Sequence, residues 1–374
     1  MKKVGVTAML LAAALILCGC TSMLERNYSS SADHVDYSVP EDSSILRAES
    51  YQALLNSILY YVSEHSGGGT IRLYNYTGNV ETDLAAACSE VMETDPLGAY
   101  AVSNIDYTST RILTYYEIDV HISYRHTIGE VAAIKPVSGQ NGVRQQLADL
   151  VSNRLTHTVL RTSYFTGDAQ LINSLFWLAL YSDPVAAYGS PTVNTAFYPE
   201  EGSQRILEVE AQWALNDHIL IRYQSNLNHT AALLTQDNPP AGETYTAEEL
   251  ATLLRSTLNY DPNGSQTALS ALQGEPVNDL GTLLAMEYLC QLYGIEVMPV
   301  FDTAEAQTWL IIATPSGYRH LLPRDLRPAN PEETPSETPW TLPLYTDEEL
   351  TALGFDWPDQ LHPACVDYSG PMPE

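Results

Sequence analysis

Lysine is almost missing from this chain: Lys2, Lys3 and Lys135 are the only three in 374 residues, and 46 acidic against 17 basic residues give a formal charge of -29. A field of that sign repels nucleic acid and anionic lipid headgroups, so no nucleic-acid partner is expected. Cysteine is scarce as well. Five are present, no two in a C-x-x-C spacing, so the sequence holds no cysteine-type zinc motif. After residue 17 no apolar run approaches the roughly 20 residues a membrane helix needs. What the chain does have is 45% hydrophobic residues, enough to build two or three cores and to exclude disorder as an overall state.

The N-terminus is organised differently from the rest. Lys2 and Lys3 precede the apolar run Val4 to Leu17, which closes with Leu17-Cys18-Gly19-Cys20. A charged start and a short apolar stretch form a secretion signal rather than a spanning helix. The closing residues resemble the lipobox of bacterial lipoproteins, in which the last Cys is lipidated and becomes the first residue. That resemblance implies removal of residues 1–19, a lipid on Cys20, an extracytoplasmic location at the membrane, and a charge of -31 once both leading lysines are gone. Residues 20–44 are polar and Ser-rich, as a flexible tether would be.

A repeat follows. Ile71-Arg72 with Tyr76-Thr77-Gly78 returns as Leu160-Arg161 with Phe165-Thr166-Gly167 at an offset of 89, and Asp95-Pro96 with Ala99-Tyr100 returns as Asp183-Pro184 with Ala187-Tyr188 at 88. Arg111-Ile112-Leu113 matches Arg205-Ile206-Leu207 at 94, which predicts Ile112 over Ile206 and six extra residues in a hairpin loop of the second copy. Each copy, 45–137 and 138–225, reads as helix, strand, helix and hairpin, with Asn79 and Asp168 as N-caps of the second helix. The fold class is therefore α+β, with helices over a mostly antiparallel sheet. The shared residues are ones that punctuate or pack, and His121, His126 and His157 read as lone strand-face histidines.

The third region, 226–326, opens with an apolar helix around Thr230 to Leu234. The capping box Thr246-Ala-Glu-Glu249 starts a helix to Leu258, and Asp261-Pro262-Asn263-Gly264 reads as a turn. A long helix from Asp279 to Tyr293 stops at Gly294, followed by strands 296–301, 308–313 and 318–321. The segment 327–374 begins as a Pro-rich linker, and the capping box Thr346-Asp-Glu-Glu349 starts a short helix that packs back through Phe355 and Trp357.

Around Asp279, the spacing of Ala271-Leu272, Gly281, Ala285, Leu289-Cys290 and Gly294-Ile295, with Trp309 and Tyr318-Arg319-His320 downstream, resembles the transglutaminase-like domains of bacterial surface proteins, which share the papain-like fold. That resemblance implies a Cys nucleophile at the start of the long helix, a His base and an orienting Asp; these positions read Asp279, Gln307 and Leu322. A leucine cannot orient an imidazole and an amide cannot act as a base, so the implied domain is a catalytically inactive one needing no cofactor. Asp279 is expected to cap the long helix, and Cys290, three turns in, to be buried. The alternative is an amidase or hydrolase with a displaced site at His320, with Asp302, Glu305 or Asp325 nearby; a purely structural spacer is a third reading. The leading expectation is a lipid-anchored binding or scaffolding protein whose partners are the membrane, through its lipid, and a peptide or envelope protein.

Overall fold

A computed structural model describes residues 45–302, 307–328, 340–358 and 361–367. The expected signal sequence, Cys20, the expected tether, Glu305 and most of the Pro-rich stretch lie outside these residues. The first copy runs β1 (Ile45–Ala48), α1 (Tyr51–Ser63), β2 (Gly68–Tyr74), α2 (Val80–Glu93), α3 (Pro96–Ala101), β3 (Val102–Ile112) and β4 (Tyr115–Tyr124). A short α4 (Ile128–Ala132) leads to the second: β5 (Lys135–Ser138), α5 (Gly139–Ser152), β6 (His157–Ser163), α6 (Ala169–Tyr181), α7 (Pro184–Tyr188), β7 (Thr192–Tyr198) and β8 (Gln204–Gln212). The two four-stranded sheets have the same order, β1-β2-β4-β3 and β5-β6-β8-β7. In each, the first strand lies parallel to its neighbour and the others are antiparallel.

The correspondence holds residue by residue at 89: Ile71 pairs with Ile118, and Leu160 with Leu207. The left-handed residues repeat at the same offset, His65 with Arg154 after the first helices and Asn75 with Tyr164 after the second strands. The Thr-Gly motif has a steric reason. A Cβ on Gly78 would meet the Tyr76 ring at 2.8 Å, and one on Gly167 would meet the Phe165 ring at 2.5 Å, so each aromatic folds over the glycine two residues on. Asn79 and Asp168 cap α2 and α6 as expected.

The hairpin correspondence is different from the expected one. Ile112 ends β3 and pairs with Tyr115, whereas Ile206 lies within β8 and pairs with Tyr198, so the Arg-Ile-Leu triplets are not equivalent. No six-residue insertion exists either. β7 has seven residues against eleven in β3, and the chain that continues the ladder in the first copy is loop in the second. Pro199 lacks the N-H the ladder requires, which stops the strand there. The repeat boundary at 137/138 falls inside β5, because the parallel edge strand that opens each copy is four residues long and shows no apolar alternation.

The third region consists of α8 (Asp217–Gln236), α9 (Ala247–Thr257), β9 (Asn259–Ser265), α10 (Ala268–Leu272), β10 (Pro276–Val277), α11 (Asp279–Leu292), β11 (Val297–Phe301), β12 (Thr308–Thr314), β13 (Gly317–Leu321) and, after a 3-10 turn at Pro323–Leu326, α12 (Asp347–Ala352). The boundary at 225/226 thus cuts α8, whose buried residues Leu220, Tyr223, Leu227 and Ala231 run on one stripe across it. The expected turn at 261–264 is part of β9, which lies parallel to β10; a Cβ on Gly264 would run into the backbone of Pro276 and Val277 at 2.5 Å. β11, β12 and β13 form an antiparallel sheet in that order, covered by the buried face of α11. The C-terminal segment packs back through Phe355 and Trp357, both edge-on to Trp309. Among the described residues no helix is long and apolar enough to cross a membrane.

The Asp-Pro motif joins these units. Asp95 accepts from Gly98 N, and Asp183 from Val185 N and Ala186 N, with proline in the first turn of each helix. The helices they start are docking elements. Tyr100 of α3 is fully buried against Val159 and Ile206 of the second sheet, while Tyr188 of α7 stacks on Tyr223 of α8 at 3.8 Å.

Candidate functional site

α6 is apolar on more than one face. Ile172, Leu175 and Phe176 enter the core of the second copy, and Leu171, Trp177 and Tyr181, half-buried at its margin, also face a second partner. That partner is the third region, and the space between them is a cleft of about 840 Å³. Its walls include Trp177, Tyr181, Phe301, Trp309 and Phe355, and its polar lining includes Gln170, Ser174, Asp302, Arg324 and His362. Asp279, Gln307 and Leu322 all line this one cleft, brought there from the start of α11, the residue before β12 and the residue after β13.

Asp279 stands in the first turn of α11 but is not its cap. Asn278 is: its side chain accepts from Gly281 N at 3.2 Å. The Asp279 carboxylate instead takes a two-pronged pair from Arg327, at 2.8 and 2.7 Å from Nη2, and Arg327 lies over the Tyr260 ring at 3.9 Å. The correction has a simple cause. The sequence offers Asn-Asp, and the residue with extended backbone, Asn278, is the one whose side chain reaches back over the first turn. Leu322 is 2% exposed and packs with Val300, Trp309 and Phe355. The Gln307 carbonyl accepts from Asp302 N at 2.9 Å, closing the mouth of the β11–β12 connection.

His320 is not in the cleft. It is fully buried, with Nδ1 accepting from Trp309 Nε1 at 3.0 Å and Nε2 at 2.9 Å from Asp347 Oδ1. An indole N-H only donates, so Nδ1 carries no proton and the N-H is on Nε2, directed at the carboxylate. The second oxygen of Asp347 accepts from Cys365 N at 3.0 Å. The acid partner is therefore Asp347, which its capping box places at the start of α12, and not Asp302 or Asp325. Burial lowers the His320 pKa against the opposing pull of Asp347. Cys365 Sγ lies within 4.8 Å of the nearest His320 and Asp347 ligand atoms. Burial, reinforced by the Asp347 charge, pushes that thiol up to about 12, so it stays protonated. The free lone pair of the imidazole is already taken by Trp309, which leaves a hydrogen-bonded clasp holding the C-terminal segment rather than a nucleophile and base. The same chemistry argues against a metal here, since a cation on Nε2 would require an imidazolate. Cys290 is fully buried, and burial followed by Glu287 drives its thiol far above the ordinary value.

His362 had no sequence signal, because it lies in the C-terminal segment and reaches the cleft only through tertiary packing. Both its ring nitrogens are shielded from solvent without a hydrogen-bond partner among the described residues. Burial, then Arg144 and His320, pushes its pKa down to about 4, leaving a neutral imidazole at the apolar wall.

These elements define an α+β protein with one large cleft whose floor and rim come from different units. Comparison with known proteins adds little. No family model matches the chain, and no curated protein does. A crystal structure of a TGase is similar at 8% identity over 78% of this chain and 81% of that one, with a TM-score of 0.25, too low for the likeness to carry an argument.

Proposed function

We propose that this chain is a lipid-anchored, extracytoplasmic binding protein whose cleft holds a peptide segment and performs no transglutaminase-type chemistry. The observation that supports the reading is the convergence of Asp279, Gln307 and Leu322 on one cleft of about 840 Å³. That volume suits a ligand of a few residues. Aromatic walls take apolar side chains, while the amides of Gln170 and Gln307 and the hydroxyl of Ser174 offer donors and acceptors to a peptide backbone. Catalysis through the same positions has no support in their chemistry. Asp279 is tied to Arg327, Leu322 has no polar atom, and His320 is committed to Trp309 and Asp347. A lipid on Cys20 would hold the cleft near the membrane, and the acidic charge would keep the body off anionic headgroups.

The test uses purified protein and a random peptide pool, with the retained peptides sequenced by mass spectrometry. Enrichment of a peptide class is expected, lost in Trp177→Ala, with neither cleavage nor ammonia release. Retention unchanged in Trp177→Ala would overturn the cleft as the site. Cleavage or cross-linking abolished by Asp279→Ala or His320→Gln at an unchanged melting temperature would overturn the inactive reading. In cells, labelled fatty acid should enter the protein and be absent from Cys20→Ala.

A further inference from the structure

The first copy docks on the side of the second sheet that its own helices leave open. β6 and β8 are antiparallel, with His157 opposite Glu210 and Val159 opposite Glu208, so the alternation of the strands puts all four on that side. Val159 and Ile206 pack under Tyr100. Beside them His157, Glu208 and Glu210 each offer one ligand atom within 4.8 Å of the other two. His157 Nε2 is 2.9 Å from Glu208 Oε1, and Tyr198 OH donates to Glu208 Oε2 at 3.2 Å, fixing the rotamer of that carboxylate.

Tyr100 supplies a second, independent observation. Its side chain is fully buried and its hydroxyl has no hydrogen-bond partner among the described residues. An orphaned hydroxyl in that position costs stability unless something completes it. Its ring meets that of Tyr198, the residue that holds Glu208, edge-on at 5.4 Å, and burial, then the charges of Glu208 and Glu130, pushes its pKa up to about 12. Glu130, from α4, senses the charges of both His126 and His157.

We propose that His157, Glu208 and Glu210 bind one first-row divalent cation of the zinc type, with the Tyr100 hydroxyl hydrogen-bonded to a water in its open coordination position. One imidazole nitrogen and two carboxylate oxygens are a borderline donor set that suits zinc, whereas calcium and magnesium take oxygen-only shells. Ligand bonds of about 2.0–2.2 Å place tetrahedral donor atoms roughly 3.3 Å apart, so small side-chain rotations suffice. Two glutamates balance the cation's charge without a third acid. The Tyr198 contact to Glu208 is the outer-shell support such a ligand requires. In the first copy the equivalent places hold Gly68, Asp119 and His121, and Asp119 is taken by Thr70 at 2.7 Å, so the ligand set is particular to the second copy. The site bridges the two copies, since Tyr100 comes from the first.

The test is zinc titration of the chelator-stripped full chain by calorimetry, with cobalt substitution as a spectroscopic check. One cation per chain is expected, weakened at least about tenfold in His157→Gln and in Glu208→Gln. Bound cobalt should show visible d-d bands and no thiolate charge-transfer band. His157 and Glu210 lie at the surface, so these variants should melt like the parent in the presence of chelator. Tyr100→Phe should weaken binding severalfold without lowering the melting temperature of the metal-free protein. No binding at a hundredfold excess of zinc would overturn the proposal. So would one-to-one binding that survives His157→Gln, or that disappears in Cys365→Ser.

Discussion

The same short helix serves two joints of this molecule and meets a different surface at each. α3 presses Tyr100 against a sheet face, where it stacks on His126 at 4.0 Å and meets Tyr198 edge-on. α7 presses Tyr188 against helices, stacked on Tyr223, while Gln291 of α11 reaches the Ser182 carbonyl and holds the buried Glu287 beside it. One motif, Asp-Pro followed by Ala-Tyr, makes the helix and aims the ring; the next unit along the chain decides what the ring touches. The repeated Asp-Pro and Ala-Tyr residues are therefore docking residues. Among the described residues, the polar atoms without a partner at the two joints differ accordingly: the Tyr100 hydroxyl at the first, and Glu287 Oε2 at the second.

The sharpest way to break the comparison is to remove the rings. Tyr100→Ala empties a fully buried site and should cost about 3–5 kcal/mol. Tyr188→Ala removes a partly buried ring and should cost roughly 1–2 kcal/mol, scaled to the smaller area lost. Urea unfolding measures both, and equal losses would mean that the two helices dock equally deeply. The second difference is one of pH. Burial pushes Glu287 up to about 8, with Gln291 pulling weakly the other way. Its folded value is thus raised above the unfolded one, so the stability it contributes is full below the ordinary glutamate range and is lost as pH rises toward 8. The parent should lose on the order of a few kcal/mol between pH 5 and pH 8, and Glu287→Gln should flatten that slope. Tyr100→Phe should leave the slope as it is, because that hydroxyl titrates only near 12. A slope unchanged in Glu287→Gln would show that another group controls the second joint.

Legibility in the sequence followed the range of the interaction. Caps and the faces of long elements are local, so Asn79, Asp168, Thr246 and Thr346 are readable, while Asp279, Gln307 and Leu322, singled out only by the resemblance to transglutaminase-like domains, line one cleft. The four-residue parallel edges β1 and β5 were not readable, since they offer too few residues for a period. The Arg-Ile-Leu match misled because a shared triplet says nothing about which strand it occupies, and only the register with Ile71 and Leu160 settles it. Asp347, the partner of His320, stands 27 residues beyond it across the linker, and His362 is further still. Such pairings are made by packing, and no spacing announces them. His157 read as a lone strand-face histidine; its neighbours come from β8 and from the docking of the first copy.

The smallest effect concerns what starts the two docking helices. α3 has six residues and α7 five, too short to persist without support, so each depends on its cap and on the ring it carries. Asp95 accepts from one amide, Gly98 N at 2.7 Å, and Asp183 from two, Val185 N at 3.0 Å and Ala186 N at 2.9 Å. Asp95→Ala and Asp183→Ala should each cost about 1 kcal/mol, and Asp→Asn at either position only a few tenths, because the amide oxygen still accepts while the favourable charge at the helix start is lost. The order against the ring substitutions carries the meaning. If the helices are latches held by their tyrosines, Asp95→Ala must remain well below Tyr100→Ala in the same urea titration. A cap loss as large as the ring loss would mean that the helix forms first and docking adds little. The comparison of the two joints would then reduce to a comparison of two caps.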